Sequence, residues 1–183
     1  MPSAESYIRM RAFARVDGAK LGLMWIISFA FFIGYFHQPI FGMFWLATII
    51  FTPFMVGILT SNYAQKVCDG QISYKHAFAH SVLTVFHASL ILAIVQWAYF
   101  QYLDHGMVIN SYTQMLSDPD FIKTMESMGY PKDTATQFVE NMQKLRPIDI
   151  ALQLLWSNMM AGVIMSLTTA LYASSKKYWR PRN

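Results

Sequence analysis

Three histidines, His76, His80 and His87, interrupt the apolar stretch YKHAFAHSVLTVFHASLILAIVQWAYF, which runs from Tyr74 to Phe100. Imidazole is the side chain that binds metals, ligates haem and carries protons near neutral pH. Successive residues of a helix are rotated by about 100°, so these three line one side. Their depths differ. His80 lies about 6 Å beyond His76 and His87 about 16 Å beyond it, at 1.5 Å per residue. His80 and His87 are therefore about 10 Å apart along the axis and cannot share an ion with bonds near 2.1 Å. His76 and His80 could share one with Cys68 or Asp69. The spacing from Cys68 to His76 and His80, however, matches no familiar zinc pattern. A bis-histidine haem needs a facing histidine, and the other two, His37 and His105, fall at the opposite ends of helices. His87 is close to mid-helix, where an ionisable group in a membrane marks a functional position by default. The simpler reading is a neutral imidazole bonded to a hydroxyl at similar depth, from Ser28, Thr52, Ser166 or Thr169. Neutral histidine is far cheaper to bury than a fixed charge.

Other chemistry is sparse. No GxSxG elbow, HExxH pair, glycine-rich nucleotide loop or pair of acids occurs. Ser166 and His87 have the types of a nucleophile and its base, but nothing around them supports the pairing. Five methionines (Met107, Met115, Met125, Met128 and Met142) have thioethers that suit Cu(I). Most of them occupy apolar helix faces, where methionine is an ordinary filler. The expected set is thus no enzyme, no cofactor and no metal, with His80, His87, Asn158 and Ser166 as candidate polar positions inside the membrane.

The elements that must carry these residues follow from the charge pattern. Charged residues make up 13% of the 183 residues, against about 25% in a soluble domain. None occurs from Leu21 to Gln65, from His76 to Leu103, or from Ile150 to Ser175. A crossing of a hydrocarbon core about 30 Å thick takes about 20 apolar residues. The second and third runs hold one crossing each. The first holds two, turning at His37-Gln38-Pro39, where the proline lacks a donor and biases the residue before it away from helix. Four transmembrane helices are expected, at about 18–37, 40–63, 76–102 and 148–173, with Pro53 kinking the second. The fold class is all-α, a polytopic membrane bundle in a single domain, 1–183. In this reading no carboxylate or basic group sits deep in any span. The first apolar run is too long for a signal-peptide core and lacks a small-x-small site, so a retained anchor is expected.

Lys and Arg set the orientation. Arg9, Arg11, Arg15 and Lys20 precede the first span, Lys66 and Lys75 lie in the second loop, and Lys176, Lys177, Arg180 and Arg182 end the chain. The loop 104–147 has only Lys123, Lys132, Lys144 and Arg146. That loop and its boundary with the fourth span hold seven of the ten acidic residues. Both termini are expected in the cytoplasm, with Tyr178 and Trp179 in the interfacial belt. The basic balance then reflects anionic lipid rather than nucleic acid. The single Cys68 is expected to be a reduced cytoplasmic thiol.

The loop 104–147 predicts two short amphipathic helices. Asp118 caps the first, Pro119 enters its first turn, and Gly129 and Pro131 end it. The second carries Phe138, Val139, Met142 and Leu145 as a stripe, with Lys144 and Arg146 at its C-terminal end, where the helix dipole favours cations. They are expected to lie on the outer membrane surface or across the mouth of the bundle. Small residues recur every fourth position in the first span (Gly18, Gly22, Ala30 and Gly34, interrupted by Ile26) and without a break in the fourth (Asn158, Gly162, Ser166, Ala170, Ser174). Such ladders mark helix contacts, within one chain or between copies.

The stretch DGQISYKHAF, Asp69–Phe78, resembles the signature of a family of small bacterial membrane proteins, the domain of unknown function 4199. Its pattern of glycine, isoleucine, serine, an aromatic residue, then alanine and phenylalanine is met by Gly70, Ile72, Ser73, Tyr74, Ala77 and Phe78. Here Asp69-Gly70 makes a turn and Ser73 caps the incoming helix. The resemblance extends over most of the chain. It implies four helices in a bacterial inner membrane, and it supplies no activity and no residues to transfer. The functional expectation is a non-enzymatic accessory or self-associating subunit of an envelope complex. The alternative is a small oligomeric transporter or channel built around the His80/His87 stripe, and a third reading places a metal at Cys68/His76/His80. The expected partners are the lipid bilayer and a second copy or another membrane subunit.

Overall fold

The structure is a computed structural model, and it describes residues 4–131 and 133–175. The basic tail and Lys132 lie outside the described residues. These residues form seven helices and no strand: α1 (Ala4–Tyr35), α2 (Ile40–Val67), α3 (Tyr74–Tyr102), α4 (Met107–Leu116), α5 (Pro119–Ser127), α6 (Thr134–Gln143) and α7 (Pro147–Ser175). Four of them, α1, α2, α3 and α7, are long and apolar enough to cross a membrane. The chain is an all-α polytopic protein.

Helix α1 begins at Ala4, well before the expected start near 18. The segment between has no glycine or proline to stop it. Met10, Ala14, Asp17, Gly18 and Leu21 are all buried. Their spacing of three and four continues one helical face from the polar flank into the apolar run. Between α1 and α2 the chain turns at His37-Gln38, whose amides bond Gly34 O at 3.0 and 2.9 Å. Rings close over the turn: Phe31 packs on Phe44 at 5.4 Å and Phe32 on Trp45 at 5.2 Å.

At the entry to α3, Asp69 and Gly70 both have positive φ, 51° and 76°. The Gly70 amide bonds Ala64 O, which seals the end of α2. The Ser73 hydroxyl then accepts from the His76 amide at 3.4 Å, as its capping role requires.

The chain divides into two compact units, Met1–Ile94 with Leu154–Asn183, and Val95–Gln153. In the first, one core joins Met10, Tyr63, Ile72, Ala77 and Ala170, from all four long helices and the α2–α3 loop. A second core joins Leu21, Val56, Leu59, Val85 and Ala88. Gly18 and Gly22 of the first ladder and Gly162, Ser166 and Ala170 of the second are buried, whereas Ala30 is exposed. A Cβ on Gly18 would stand 2.6 Å from His87 Cβ and 2.9 Å from Thr84 O, and one on Gly162 would overlap Val85 Cγ1. Gly18 and Gly22 of the first ladder and Gly162 of the second therefore seat α1 and α7 on α3 of the same chain. The outward faces of α2 and α7 stay apolar, with Met43, Ile50, Phe54, Trp156 and Ile164 all exposed, as a lipid-facing surface requires.

The second unit holds α4, α5 and α6, where two helices were expected. Helix α4 is the addition. It has no capping side chain at its own N-cap, Gly106; Asp104 instead accepts from the Val108 amide at 3.1 Å, so the usual local signal is displaced. Helix α5 forms as read. Asp118 Oδ1 accepts from the Asp120 and Phe121 amides at 2.8 and 3.3 Å. Helix α6 ends at Gln143, and Arg146 does not cap it. Its guanidinium grips Asp149 in the first turn of α7, at 2.8 and 2.9 Å.

Candidate functional site

The earlier start of α1 brings into the helix a carboxylate that the expected span left out. Asp17 is a carboxylate inside a spanning helix, and it is 4% exposed. It lies about 27 Å along the axis from Tyr35, at 1.5 Å per residue, so it sits at one end of the span rather than at its middle. Sequence reasoning missed it because the span was begun one residue later. The usable signal was the spacing of Met10, Ala14, Asp17 and Leu21.

Asp17 meets His80 of α3. Oδ2 is 3.6 Å from His80 Nε2, and Oδ1 receives Lys20 Nζ at 2.9 Å. The lysine is half exposed whereas the carboxylate and imidazole are enclosed, so the pair has one charged edge toward the surface. On the opposite edge of the ring, His80 Nδ1 lies 3.3 Å from Thr60 Oγ1, and Thr60 Oγ1 lies 2.9 Å from Ser81 Oγ. His80, Thr60 and Ser81 are each 0% exposed. Tyr63 stacks flat on His80, with centroids 4.2 Å apart and planes 4° off parallel. Its hydroxyl reaches His76 Nε2 at 2.9 Å. Helices α1, α2 and α3 thus each contribute to one enclosed polar cluster.

A proton on Nε2 faces the Asp17 carboxylate and leaves Nδ1 to accept from Thr60. This tautomer gives Nδ1 its hydrogen bond and points the Nε2 proton at the carboxylate, 3.6 Å away and outside hydrogen-bond distance. The connectivity carboxylate–imidazole–hydroxyl is the arrangement that activates a nucleophile elsewhere. Here the hydroxyl is fully enclosed, so no substrate can reach it. What the arrangement can do is hold a proton and pass it on.

The other sequence candidates are placed differently. His87 is half-buried on α3, and its Nδ1 bonds its own helix at Leu83 O, 2.6 Å away. None of the four hydroxyls expected to serve it does so. Ser28 pairs with Thr48 at 2.6 Å, Thr52 accepts from Trp25 Nε1 at 3.2 Å, and Ser166 and Thr169 bond carbonyls of their own helix. The supposed Ser166/His87 pair is therefore not formed. Asn158 is half-buried on α7, one turn from Gly162. His80 and His87 fall into separate environments rather than one stripe.

The Cys68/His76/His80 edge does not converge on one point, because Tyr63 stands among the three. It holds His76 by its hydroxyl and His80 by its ring face, and its hydroxyl also interacts with the Cys68 thiol. Burial pushes that thiol above its ordinary titration range, and Asp69 adds to the shift while the Tyr63 contact opposes it. Among the described residues no three His, Cys, Asp or Glu side chains form a metal-holding group.

A protein-family model, "Protein of unknown function (DUF4199)", matches residues 17–174. The chain belongs to this family. The match begins at Asp17 and takes in every residue of the cluster. No curated protein and no solved structure matches the chain.

Proposed function

We propose that this protein is a non-enzymatic, multi-pass protein of the bacterial inner membrane that takes up and passes protons at Asp17–His80, as the working part of a small transporter or channel. The termini are cytoplasmic in this reading, which puts Asp17, Lys20, His76 and His80 at the cytoplasmic end. The observation that carries it is the enclosed carboxylate–imidazole contact of 3.6 Å inside spanning helices. Ionisable groups are expensive to enclose there, and where they occur they mark ion or proton pathways. The site stands on His80 alone; His87 is bonded to its own backbone. The test is reconstitution into vesicles containing a pH-sensitive dye, followed by a pH step under an imposed potential. Wild-type protein should equilibrate the lumen faster than empty vesicles, and Asp17→Asn and His80→Gln should abolish the excess. Flux no greater than that of empty vesicles overturns the reading.

The second reading is an accessory subunit of an envelope complex, self-associated or bound to another membrane protein. What favours it is the second unit, which leaves Met115, Met128, Tyr130 and Phe138 exposed. Apolar patches of this kind serve as contact surfaces. The small-residue ladders do not support it, since they are used within the chain. Co-purification of a stoichiometric partner from native membranes, lost on Phe138→Glu, would establish it.

A further inference from the structure

The hydroxyls of the spanning helices are satisfied in several ways: Ser28 and Thr48 pair across helices at 2.6 Å, and Ser89 Oγ is enclosed with no partner. Thr52, Ser166, Thr168, Thr169, Ser174 and Ser175 each donate to a carbonyl three or four residues back on their own helix, at 2.7–3.3 Å. That is the ordinary way for a hydroxyl to satisfy itself where water is absent. The hydroxyls beside His80 do otherwise. Thr60 and Ser81 turn away from the backbone to each other and to the imidazole. Ser61 Oγ and Thr84 Oγ1 are enclosed with no partner. Thr84 is 0% exposed and follows Ser81 by one turn of α3. A cheaper local bond was open to each of these side chains, and none of them makes it.

From the continuous contacts His80–Thr60–Ser81 we infer that Thr60 and Ser81 extend Asp17–His80 into a proton relay, with Thr84 as its next station. The inference rests on the proton-handling reading above and adds its route. Each member can donate and accept at once, as a relay demands. A water molecule at the Thr84 hydroxyl gives a proton to Ser81 Oγ, Ser81 gives its own to Thr60 Oγ1, and Thr60 gives its own to His80 Nδ1. The imidazole, then protonated on both nitrogens, releases the proton on Nε2 to the Asp17 carboxylate as the two close from 3.6 Å. One O–H or N–H bond breaks for each that forms, one proton moves from end to end, and no electrons are transferred. Tyr63 holds the ring in the plane that this route needs by stacking over its face. A buried, unpartnered hydroxyl is also the kind of group that binds internal water.

The experiment compares Thr60→Val, Thr60→Ser and Ser81→Ala with wild type in the vesicle assay. It also follows the His80 ring nitrogens by 15N NMR in purified protein. Thr60→Val keeps the volume and removes the hydroxyl. It should lower flux by about a hundredfold, the scale on which one positioned proton-transfer group acts. It should also change the Nδ1 resonance of His80. Thr60→Ser should retain both, and Thr52→Val, whose hydroxyl bonds its own helix, should leave both unchanged. If Thr60→Val does not fold, Ser81→Ala carries the same expectation for flux. Wild-type flux in Thr60→Val or Ser81→Ala, alongside loss in His80→Gln, overturns the relay and leaves the Asp17–His80 site standing. Absence of flux in wild type overturns both.

Discussion

The seat of α7 on α3 can be tested at Gly162. A Cβ there would overlap Val85 Cγ1 and come within 3.1 Å of Val85 Cβ and 3.3 Å of Cγ2. Val85 is 2% exposed and packs in the core with Leu21, Val56, Leu59 and Ala88. Two effects of Gly162→Ala oppose each other. Alanine is the better helix former by about 1 kcal/mol, which stabilises. Overpacking of a filled site costs about 1–3 kcal/mol and pushes the helices apart. Since the overlap is with a carbon attached close to a packed backbone, the steric cost prevails, and the net effect is destabilising by up to about 2 kcal/mol. Val85→Ala removes the two methyls concerned and by itself costs about 1–3 kcal/mol, at about 0.5–1.5 for each methyl. In the double variant the overlap with Cγ1 is gone, only the 3.1 Å contact with the remaining Cβ is left, and the propensity gain stays. Its stability should exceed the sum of the single effects by at least about 1 kcal/mol, which is the coupling expected of residues in contact. The assay is thermal unfolding in detergent followed by the fluorescence of the five tryptophans. A shift of about 2–4 °C is expected per kcal/mol for a chain of this length. If Gly162→Ala raises the midpoint, or if the two substitutions add, Gly162 does not face Val85 and the packing argument fails.

Two further outcomes follow from local chemistry. The Cys68 thiol is held above its ordinary range by burial, so its folded state keeps the proton to higher pH than an exposed thiol does. Maleimide labelling should be slow at neutral pH and should accelerate only in alkaline solution, and the probe should reach it from inverted vesicles but not from sealed cells. Rapid neutral labelling contradicts the burial, and labelling from outside contradicts the cytoplasmic orientation. In the second unit, Asp118→Ala removes the acceptor for two amides at the start of α5 and should cost about 1 kcal/mol. Amide exchange at Asp120 and Phe121 should then quicken about fivefold, and unchanged rates would mean that the cap does not hold the helix.

How much was legible in the sequence depended on whether the signal lay along the chain or between helices. The length of each charge-free run determined four spans, because hydrocarbon thickness fixes how many apolar residues a crossing needs. Pro39, Ser73, Asp118 and Gly129 marked helix ends, because capping and positive φ are local requirements. Helix α4 escaped because its cap, Asp104, stands two residues before the N-cap position. The family resemblance was legible in the turn into α3, where Asp69 and Gly70 must take positive φ. The ladders announced contact, but only the fold assigned them to α3 of the same chain, since periodicity gives a face and not its neighbour. The same limit applied to the histidines. His76, His80 and His87 share a side of one helix, yet Asp17 and Thr60 meet His80 while His87 turns to Leu83. Those partners come from helices whose rotation about their own axes is set by packing against α3. Asp17 itself reads as a flank residue in one dimension. It becomes an interior one because Met10 and Ala14 carry the buried face of α1 past the end of its apolar run.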